Sequence, residues 1–380
     1  MKALVVDAGI GGLTAAVALR RAGAEILVLE RDPELKEIGA GLLLGANAMR
    51  ALDRIELGDS VRRIGAPTLV GEMRSWSGEV LVRLSAAEVN ELAGAESYAV
   101  HRAELQAALL RALGEEYVRL GAACRGFTQD EGDVRVFIED ADEMHADALI
   151  GADGIYSTVR SEQFGYEKPT YAGYTAWRGV VDYPDGLLLG GGGFETWGRG
   201  RRFGCVRLGD RRMYWFATCN APEGGEDGPV GSRRALLDMF SGWHDPIEEL
   251  IEATGEEDIR RDDVYDRDPI KHWGQGRVTL LGDAAHPMTP NLGQGACQVI
   301  EDAIVLARCL RDKAGVDAAL RSYEDQRMNR TAKIVRLSRR MGWIGQLEQP
   351  FISRLRDVAL KRMPERVRRR QLALVLGYEV

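Results

Sequence analysis

Nowhere does this sequence carry the run of about 18 apolar residues that a membrane-spanning helix needs. Its first residues, Met1-Lys2-Ala3-Leu4-Val5-Val6, run into glycines too soon to act as a signal peptide. These two absences predict a cytoplasmic protein with no stable membrane insertion. Cysteine is scarce: Cys124, Cys205, Cys219, Cys297 and Cys309 are an odd number with no C-x-x-C pair. That argues against a disulfide framework or a zinc site and fits a reducing compartment. His101, His145, His244 and His272 fall at no metal-ligand spacing, so no metal is expected. A basic excess is missing too. Against 58 Asp and Glu stand 50 Lys and Arg, a net charge of −8, which speaks against a nucleic-acid partner.

What is present is an ordinary globular composition, 45% hydrophobic and 28% charged, over 380 residues. At roughly 100–200 residues per domain this is two or three domains with a sizeable core. Residues 3–6 are a short apolar run, followed by Gly9, Gly11 and Gly12, then by apolar residues at helical spacing up to Gly23. Residues 26–29 form a second buried-type strand ending at Glu30. This strand, glycine turn, helix and strand open a dinucleotide-binding βαβ unit. Residues 171–218 change to aromatic-bearing strands with turns at 190–193, 198–200 and 209–210, which predicts an antiparallel sheet. Residues 232–254 read as helix interrupted near Asp245-Pro246, residues 278–281 as a buried strand, and residues 300–310 and 318–346 as helices. The βαβ character sits at both ends of the chain with the sheet between, so one domain interrupts the other.

Three motifs carry chemistry. In Asp7-Ala8-Gly9-Ile10-Gly11-Gly12, Gly9 lets the backbone approach a pyrophosphate and Gly12 lets helix pack on strand. Glu30, 18 residues past Gly12, stands where an acid accepts from ribose hydroxyls. In Leu149-Ile150-Gly151-Ala152-Asp153-Gly154, a strand runs into an Asp-Gly turn and a helix start at Ser157 and Thr158. In Leu281-Gly282-Asp283-Ala284-Ala285-His286-Pro287, a strand delivers an acid, and Gly293-Gln294-Gly295-Ala296 then opens a helix whose amides can face a ring system. Taken alone, the first is a common glycine turn, the second a turn dipeptide, and Asp283 a helix cap.

In this order the motifs resemble the group A flavoprotein monooxygenases, the para-hydroxybenzoate hydroxylase-like family. The resemblance implies an α/β fold: a Rossmann-type FAD-binding domain interrupted by an antiparallel β-sheet substrate domain, with a C-terminal helix. Residues 1–72, 97–172 and 270–330 would form the first domain, 73–96 and 173–269 the second, and 331–380 a C-terminal helical segment. It assigns Gly9, Gly11, Gly12, Glu30 and Arg31 to the ADP portion of FAD, and Asp153 to both FAD and NAD(P)H. Asp283 goes to the ribityl chain, and Gly293, Gln294, Gly295 and Ala296 lie near the ring. Arg102, in the R-x-x-L element Val100-His101-Arg102-Ala103-Glu104-Leu105, contacts the cofactor. Leu43, in the loop region carrying Gly39-Ala40-Gly41 and Asn47, and Cys124 complete the cofactor set. Gly293-Gln294-Gly295-Ala296-Cys297 with Glu301-Asp302-Ala303, and Tyr171-Ala172-Gly173-Tyr174 with Trp177, resemble the branch of zeaxanthin epoxidase and bacterial urate hydroxylase.

The implied reaction uses NAD(P)H and O₂ to hydroxylate or epoxidise an aromatic or polycyclic small molecule through a flavin C4a-hydroperoxide. The implied assembly is a monomer or homodimer. The urate enzymes use an Arg and a Tyr on the substrate sheet and an Asp in the loop after Gly-Asp. Arg202 and Tyr214 stand at matching positions as catalytic candidates, but the loop residue is Asn291, which cannot act as anion or base and so argues against urate. Of Trp177, Tyr214 and Phe216, strand alternation turns only one set toward a pocket. His286 is expected to structure its loop and Cys297 to be a small packing residue. The arginine-rich tail is expected to be a solvated helix across both domains rather than a membrane or nucleic-acid contact. Asp7 replaces the first glycine of the fingerprint. Its charge beside the diphosphate, or its capping of the 10–12 amides, predicts weakened FAD binding. It therefore keeps open a rival reading, an apo nucleotide-binding protein on this fold, next to a flavin oxidase.

Overall fold

A computed structural model describes residues 1–35, 40–183, 192–209 and 211–380. Gly39, the turn glycines Gly190 and Gly191, and Asp210 lie outside the described residues. The apolar runs at the two ends of the chain assemble into one parallel sheet. Its order is Val278–Leu280, Ala148–Gly151, Lys2–Val6, Glu25–Leu29 and Val118–Arg119. Ala3, Leu4 and Val5 are fully buried in a core that also takes in the helix residues Leu13 and Val17 and, from a small three-stranded antiparallel sheet, Val134, Val136 and Ile138, which is why these strands read as continuous apolar runs rather than alternating ones. The Ile10–Arg21 helix packs against the Gly295–Asp312 helix over this sheet. The first strand and the glycine turn thus come from the N-terminus, and the facing helix from residues nearly 300 positions later.

The second sheet has seven strands, in the order Arg260–Asp266, Thr170–Asp182, Arg212–Asn220, Arg201–Leu208, Gly193–Trp197, Val70–Ser75 and Val80–Ser85. It is antiparallel except where Gly193–Trp197 meets Val70–Ser75. Alternation gives it two faces. One carries Trp177, Phe203, Met213 and Trp215, packed under the helices Gly231–Phe240 and Ile247–Ala253. The other carries Tyr174, Arg178, Arg202, Tyr214 and Phe216, and turns toward the parallel sheet, as the contacts of Arg202 with Asn291 and of Tyr214 with Gly41 show. Trp177 pairs with Ala217 on the packed face, so of the three aromatic candidates it is the one that does not face the pocket side.

The structure redraws three expected boundaries. Positions 72 and 172 fall inside the strands Val70–Ser75 and Thr170–Asp182, and position 330 falls inside the Val316–Gly345 helix. Gly173, at φ +86, sits in a register shift between Tyr171 and Thr175, and that irregularity hides the strand's true start. The single C-terminal helix is corrected to two beyond the long one, Pro350–Lys361 and Glu365–Leu376, because Pro364 stops the first and opens the second. The last helix packs on Ala86–Ala93 and Ala46–Arg54, and the Pro350–Lys361 helix on Val80–Ser85. Among the described residues no helix is long and apolar enough to cross a membrane, and no group of three His, Cys, Asp or Glu could hold a metal ion.

Candidate functional site

The turn after Lys2–Val6 is built on three glycines and an aspartate. A Cβ on Gly12 would lie 1.9 Å from the Asp7 carbonyl oxygen, so only glycine lets the helix settle on the strand. The Ile10–Arg21 helix opens after Gly9 with no side-chain cap, leaving its first amides and its positive dipole end to an anion. A Cβ on Gly11 would lie 2.6 Å from Val299 of the facing helix. Glu30 is buried at the end of Glu25–Leu29. Its Oε2 accepts from the Ala8 amide at 2.8 Å and its Oε1 from the Asp32 amide at 2.9 Å, tying the second strand to the glycine turn. Arg31 follows it on the exposed surface.

Asp7 breaks the fingerprint, and the structure shows how. Its φ of +89° belongs to the region that favours glycine. Its Oδ2 accepts from the Gly9 amide at 2.8 Å. The expected capping of the 10–12 amides is therefore corrected to capping of Gly9 alone. Burial, then the Glu30 carboxylate and Asp153, push the Asp7 carboxyl up to about 6, against the opposing pull of the Gly9 amide and Arg102. Arg102 begins the Arg102–Leu113 helix. Burial lowers its pKa, while Asp7 and Asp283, both close enough to act on it, favour its charge.

Asp153 is spent on its own turn. Its Oδ1 accepts from the Ser157 hydroxyl at 2.6 Å and its Oδ2 from the Thr158 amide at 2.7 Å, which opens the Thr158–Phe164 helix. Asp283 differs. It lies in the Gly282–Ala284 turn beyond Val278–Leu280 and makes no hydrogen bond within the described residues. It is open to solvent yet surrounded by enough protein to push its carboxyl up, so it lines a cleft. The Gly295–Asp312 helix also opens without a side-chain cap, and a Cβ on Gly295 would meet nothing within 4 Å. Ala296 follows in its first turn, and Gly293, at φ +59, lies exposed beside Leu43. Gln294 turns inward instead, accepting from Asn47 and Gln298 at 3.0 Å each. Cys124 packs into the apolar core.

Two uncapped helix ends, a glycine no Cβ can replace and an acid without a protein partner fit a dinucleotide carrying a diphosphate and a polyol. Asp7 is the group in this cleft that opposes it.

On the second sheet, Arg202 is 2% exposed and held by three side-chain acceptors. Its Nη2 donates to Asn291 Oδ1 at 2.6 Å, its Nε to Gln346 Oε1 at 2.9 Å and its Nη1 to Glu195 Oε1 at 3.1 Å. Tyr174 donates to the same Asn291 oxygen at 3.2 Å. Tyr214 packs directly on Gly41, where a Cβ would meet its ring at 2.3 Å, and on Phe216, with ring centroids 6.4 Å apart. A Cβ on Gly204 would meet the Phe216 ring at 2.4 Å, so this glycine makes the floor beneath it. Burial raises the Tyr214 pKa, and Arg178, itself paired with Asp262 at 2.7 Å, opposes the rise. Arg202 and Tyr214 share a face but stand four strand positions apart by register, Arg202 opposite Thr218.

Sequence reasoning missed the groups that hold these loops. Glu301 and Asp302 appear there only as a branch motif, yet both are fully buried and paired with Arg327 at 2.6 Å. Asp302 Oδ2 meets His286 Nε2 at 2.6 Å and accepts from the Gly282 amide at 3.2 Å, so it fixes the Asp283 turn. Burial alone would raise the Asp302 carboxyl; His286 and Arg327 hold it below its ordinary range. Two adjacent acids in an apolar-periodic helix were the available signal. Gln346 and Glu195, which engage Arg202, left none. Cys297 is the packing residue expected, with its sulfur 3.3 Å from the Gly45 amide.

A cleft suited to a dinucleotide, with an antiparallel sheet turning aromatic residues toward it, defines a dinucleotide-binding protein with a second sheet over its cofactor site. Comparison with known proteins agrees. The FAD binding domain family model matches residues 1–190 and 194–338. An aurachin C monooxygenase/isomerase of Stigmatella aurantiaca is 43% identical over 360 residues, 95% of this chain and 94% of that protein. An FAD-dependent urate hydroxylase of Klebsiella pneumoniae subsp. pneumoniae is 35% identical over 342 residues, 90% of this chain and 89% of that protein. The structure of Klebsiella pneumoniae HpxO complexed with FAD and uric acid superposes with a TM-score of 0.93 at 31% identity, covering 99% of this chain and 97% of that one. The chain belongs to the FAD binding domain family. It is an FAD-dependent monooxygenase with NAD(P)H as reductant, and neither the apo nucleotide-binding reading nor the oxidase reading is favoured.

Proposed function

We propose that this monooxygenase acts on a neutral, aromatic or polycyclic small molecule seated between the Tyr214–Phe216 floor and the loop around Gly293 and Gly295. The observation that carries this is the state of Arg202. Three side-chain acceptors hold it, Glu195 among them answering its charge, and Asn291 supplies no acid beside it. Arg178 is likewise paired with Asp262. An anionic substrate would have to compete with Glu195 or Asp262 for these guanidiniums, whereas an apolar ring needs only the aromatic floor.

The roles divide as follows. The Gly9–Gly12 turn, Glu30 and Arg102 would hold the ADP portion of FAD, Asp283 would accept from its polyol, and the Gly295 helix end would serve its ring. When bound, FAD would supply the transfer of one oxygen atom of O₂ to the substrate, the other leaving as water, with NAD(P)H as the source of electrons. The chain's own part is to seat the substrate, exclude water through the Tyr214 contact with Gly41, and hold Arg202 and Asn291 as positioning residues.

The test is a compound screen for stimulated NAD(P)H consumption with product mass. Aurachin C and uric acid, named for the relatives, belong at its head. A neutral polycyclic compound should gain one oxygen while urate leaves consumption unchanged. Coupled oxygenation of urate would overturn the substrate class.

A further inference from the structure

The Pro350–Lys361 helix is amphipathic in the wrong direction for a helix of the core. Its inner face is Ser353, Arg356 and Leu360, and two of these three are polar. They are held by hydrogen bonds: Ser353 donates to Leu347 O at 3.0 Å, and Arg356 to Gly198 O at 3.1 Å and Gly345 O at 3.3 Å. The outward face carries Phe351, Leu355 and Val358, spaced by four and three positions and so stacked on one side. Phe351 is 78% exposed and Leu355 59%. Just before this helix, the Val316–Gly345 helix ends its own exposed stripe, Lys333, Arg336 and Arg340, in Trp343, which is 69% exposed. Solitary exposed apolar residues are ordinary; a row of them opposite a polar inner face is not.

Charge says what covers this face. Residues 331–380 hold twelve Lys and Arg against four Asp and Glu, while residues 1–330 hold 38 against 54. Lys333, Arg336, Arg340, Arg354 and Arg362 are exposed and have no ion-pair partner among the described residues. A second copy of the chain docking by a twofold axis would set this basic face against itself. An anionic bilayer instead meets both features, taking the aromatic and aliphatic row into its headgroup boundary and the cations onto its phosphates. We propose that the face formed by the end of the Val316–Gly345 helix and the Pro350–Lys361 helix docks on an anionic lipid surface, lying on it without crossing it.

The experiment is vesicle co-sedimentation of the full chain with phosphatidylcholine alone and with phosphatidylcholine mixed with phosphatidylglycerol. Partitioning should be at least about tenfold stronger onto the anionic vesicles. It should also weaken as salt rises from about 0.1 M to about 1 M, where the Debye length shrinks from about 10 Å to about 3 Å. Phe351→Ser with Leu355→Ser should lower it about tenfold or more with the melting temperature unchanged, since both side chains point outward. Arg336→Glu with Arg340→Glu should lower it similarly. Equal binding to both vesicle types, or wild-type binding by either double variant, overturns the proposal. So does a wild-type dimer that Phe351→Ser with Leu355→Ser turns into a monomer without any vesicle binding, which would make the face a homodimer contact. Duplex DNA binding as tight as the vesicle binding and indifferent to the serine variant would show a polyanion site and overturn it too.

Discussion

Asp7 shows how one side chain sets what a whole turn can bind. Its carboxylate occupies the Gly9 amide and shares its surroundings with Glu30 and Asp153, with Arg102 as the opposing charge. The unfolded chain ionises Asp7 near its ordinary pKa of 3.8, and the folded chain near about 6. Between these values the folded chain holds the extra proton, so this residue's contribution to stability falls as pH rises through that window. The difference is on the order of 2–3 kcal/mol at neutral pH. Asp7→Asn should therefore raise the melting temperature at pH 7.5 and do little near pH 4, the comparison with wild type cancelling the other carboxylates. FAD adds two phosphate charges at the same place. Wild-type FAD affinity should be tighter at pH 5.5 than at pH 7.5, the dependence should shrink in Asp7→Asn to what Asp283 and Asp153 contribute, and Asp7→Gly should bind FAD about ten- to a hundredfold more tightly at pH 7.5. Fluorescence titration of FAD into the three proteins measures this, and equal dissociation constants would remove Asp7 as a determinant. The glycines and acids at strand ends were legible in sequence because backbone geometry demands those residue types there. The Asp7 rotamer was not, since sequence left both an outward and an inward carboxylate open.

At the scale of elements, periodicity carried the two sheets and most helices, but pairing between distant helices left little trace. The Gly295–Asp312 and Val316–Gly345 helices are joined through Glu301, Asp302 and Arg327, all fully buried. Nothing in hydrophobic spacing says that two acids on one helix meet an arginine on the next. Alternation likewise sorts the strand aromatics into two sets but could not say which set faces the cleft, because that is decided by the helices packed over the Trp177 face. The buried triad makes a sharp stability prediction. Arg327→Met takes from Glu301 and Asp302 the guanidinium they share, leaving only Arg330 and His286 to answer two buried acids, and should cost about 3–5 kcal/mol, whereas Arg368→Ala, which loses only a half-exposed pair with Glu88, should cost less than about 1 kcal/mol. Urea denaturation of both variants checks it, and a loss of similar size in the two would mean that the buried network is no more than a surface pair in energy. Because Asp302 also accepts from Gly282, Arg327→Met should loosen the Asp283 turn as well.

The two largest of the four sheets meet at a seam, and the seam's contacts come from far apart in the chain. Arg202 reaches Asn291 and Gln346, and Tyr214 reaches Gly41. The order of the motifs made the cleft's existence legible; the partners across the seam were not, because Gln346 and Glu195 belong to no pattern of spacing. This architecture separates two kinds of residue. Asp283 lies in the turn after a strand of the parallel sheet and makes no hydrogen bond among the described residues, so its loss is felt by the cofactor. Arg202 and Tyr214 belong to the other sheet, so their loss is felt in how substrate is seated and how well water is kept out. Asp283→Ala should weaken FAD binding by about ten- to a hundredfold, the worth of one hydrogen bond to a charged acceptor. Arg202→Ala frees Glu195, Gln346 and Asn291 from their common donor, and Tyr214→Phe removes the hydroxyl that faces Arg178. Both should leave FAD affinity within about twofold while turnover falls and hydrogen peroxide rises relative to oxygenated product. Arg202→Lys should recover part of the coupling, because an ammonium still donates to Asn291 though it cannot span all three acceptors. Measuring FAD affinity and the peroxide-to-product ratio for each variant decides the division. If FAD affinity falls equally in Asp283→Ala, Arg202→Ala and Tyr214→Phe, the seam is one cooperative cofactor site, and the assignment of separate cofactor and substrate faces is wrong.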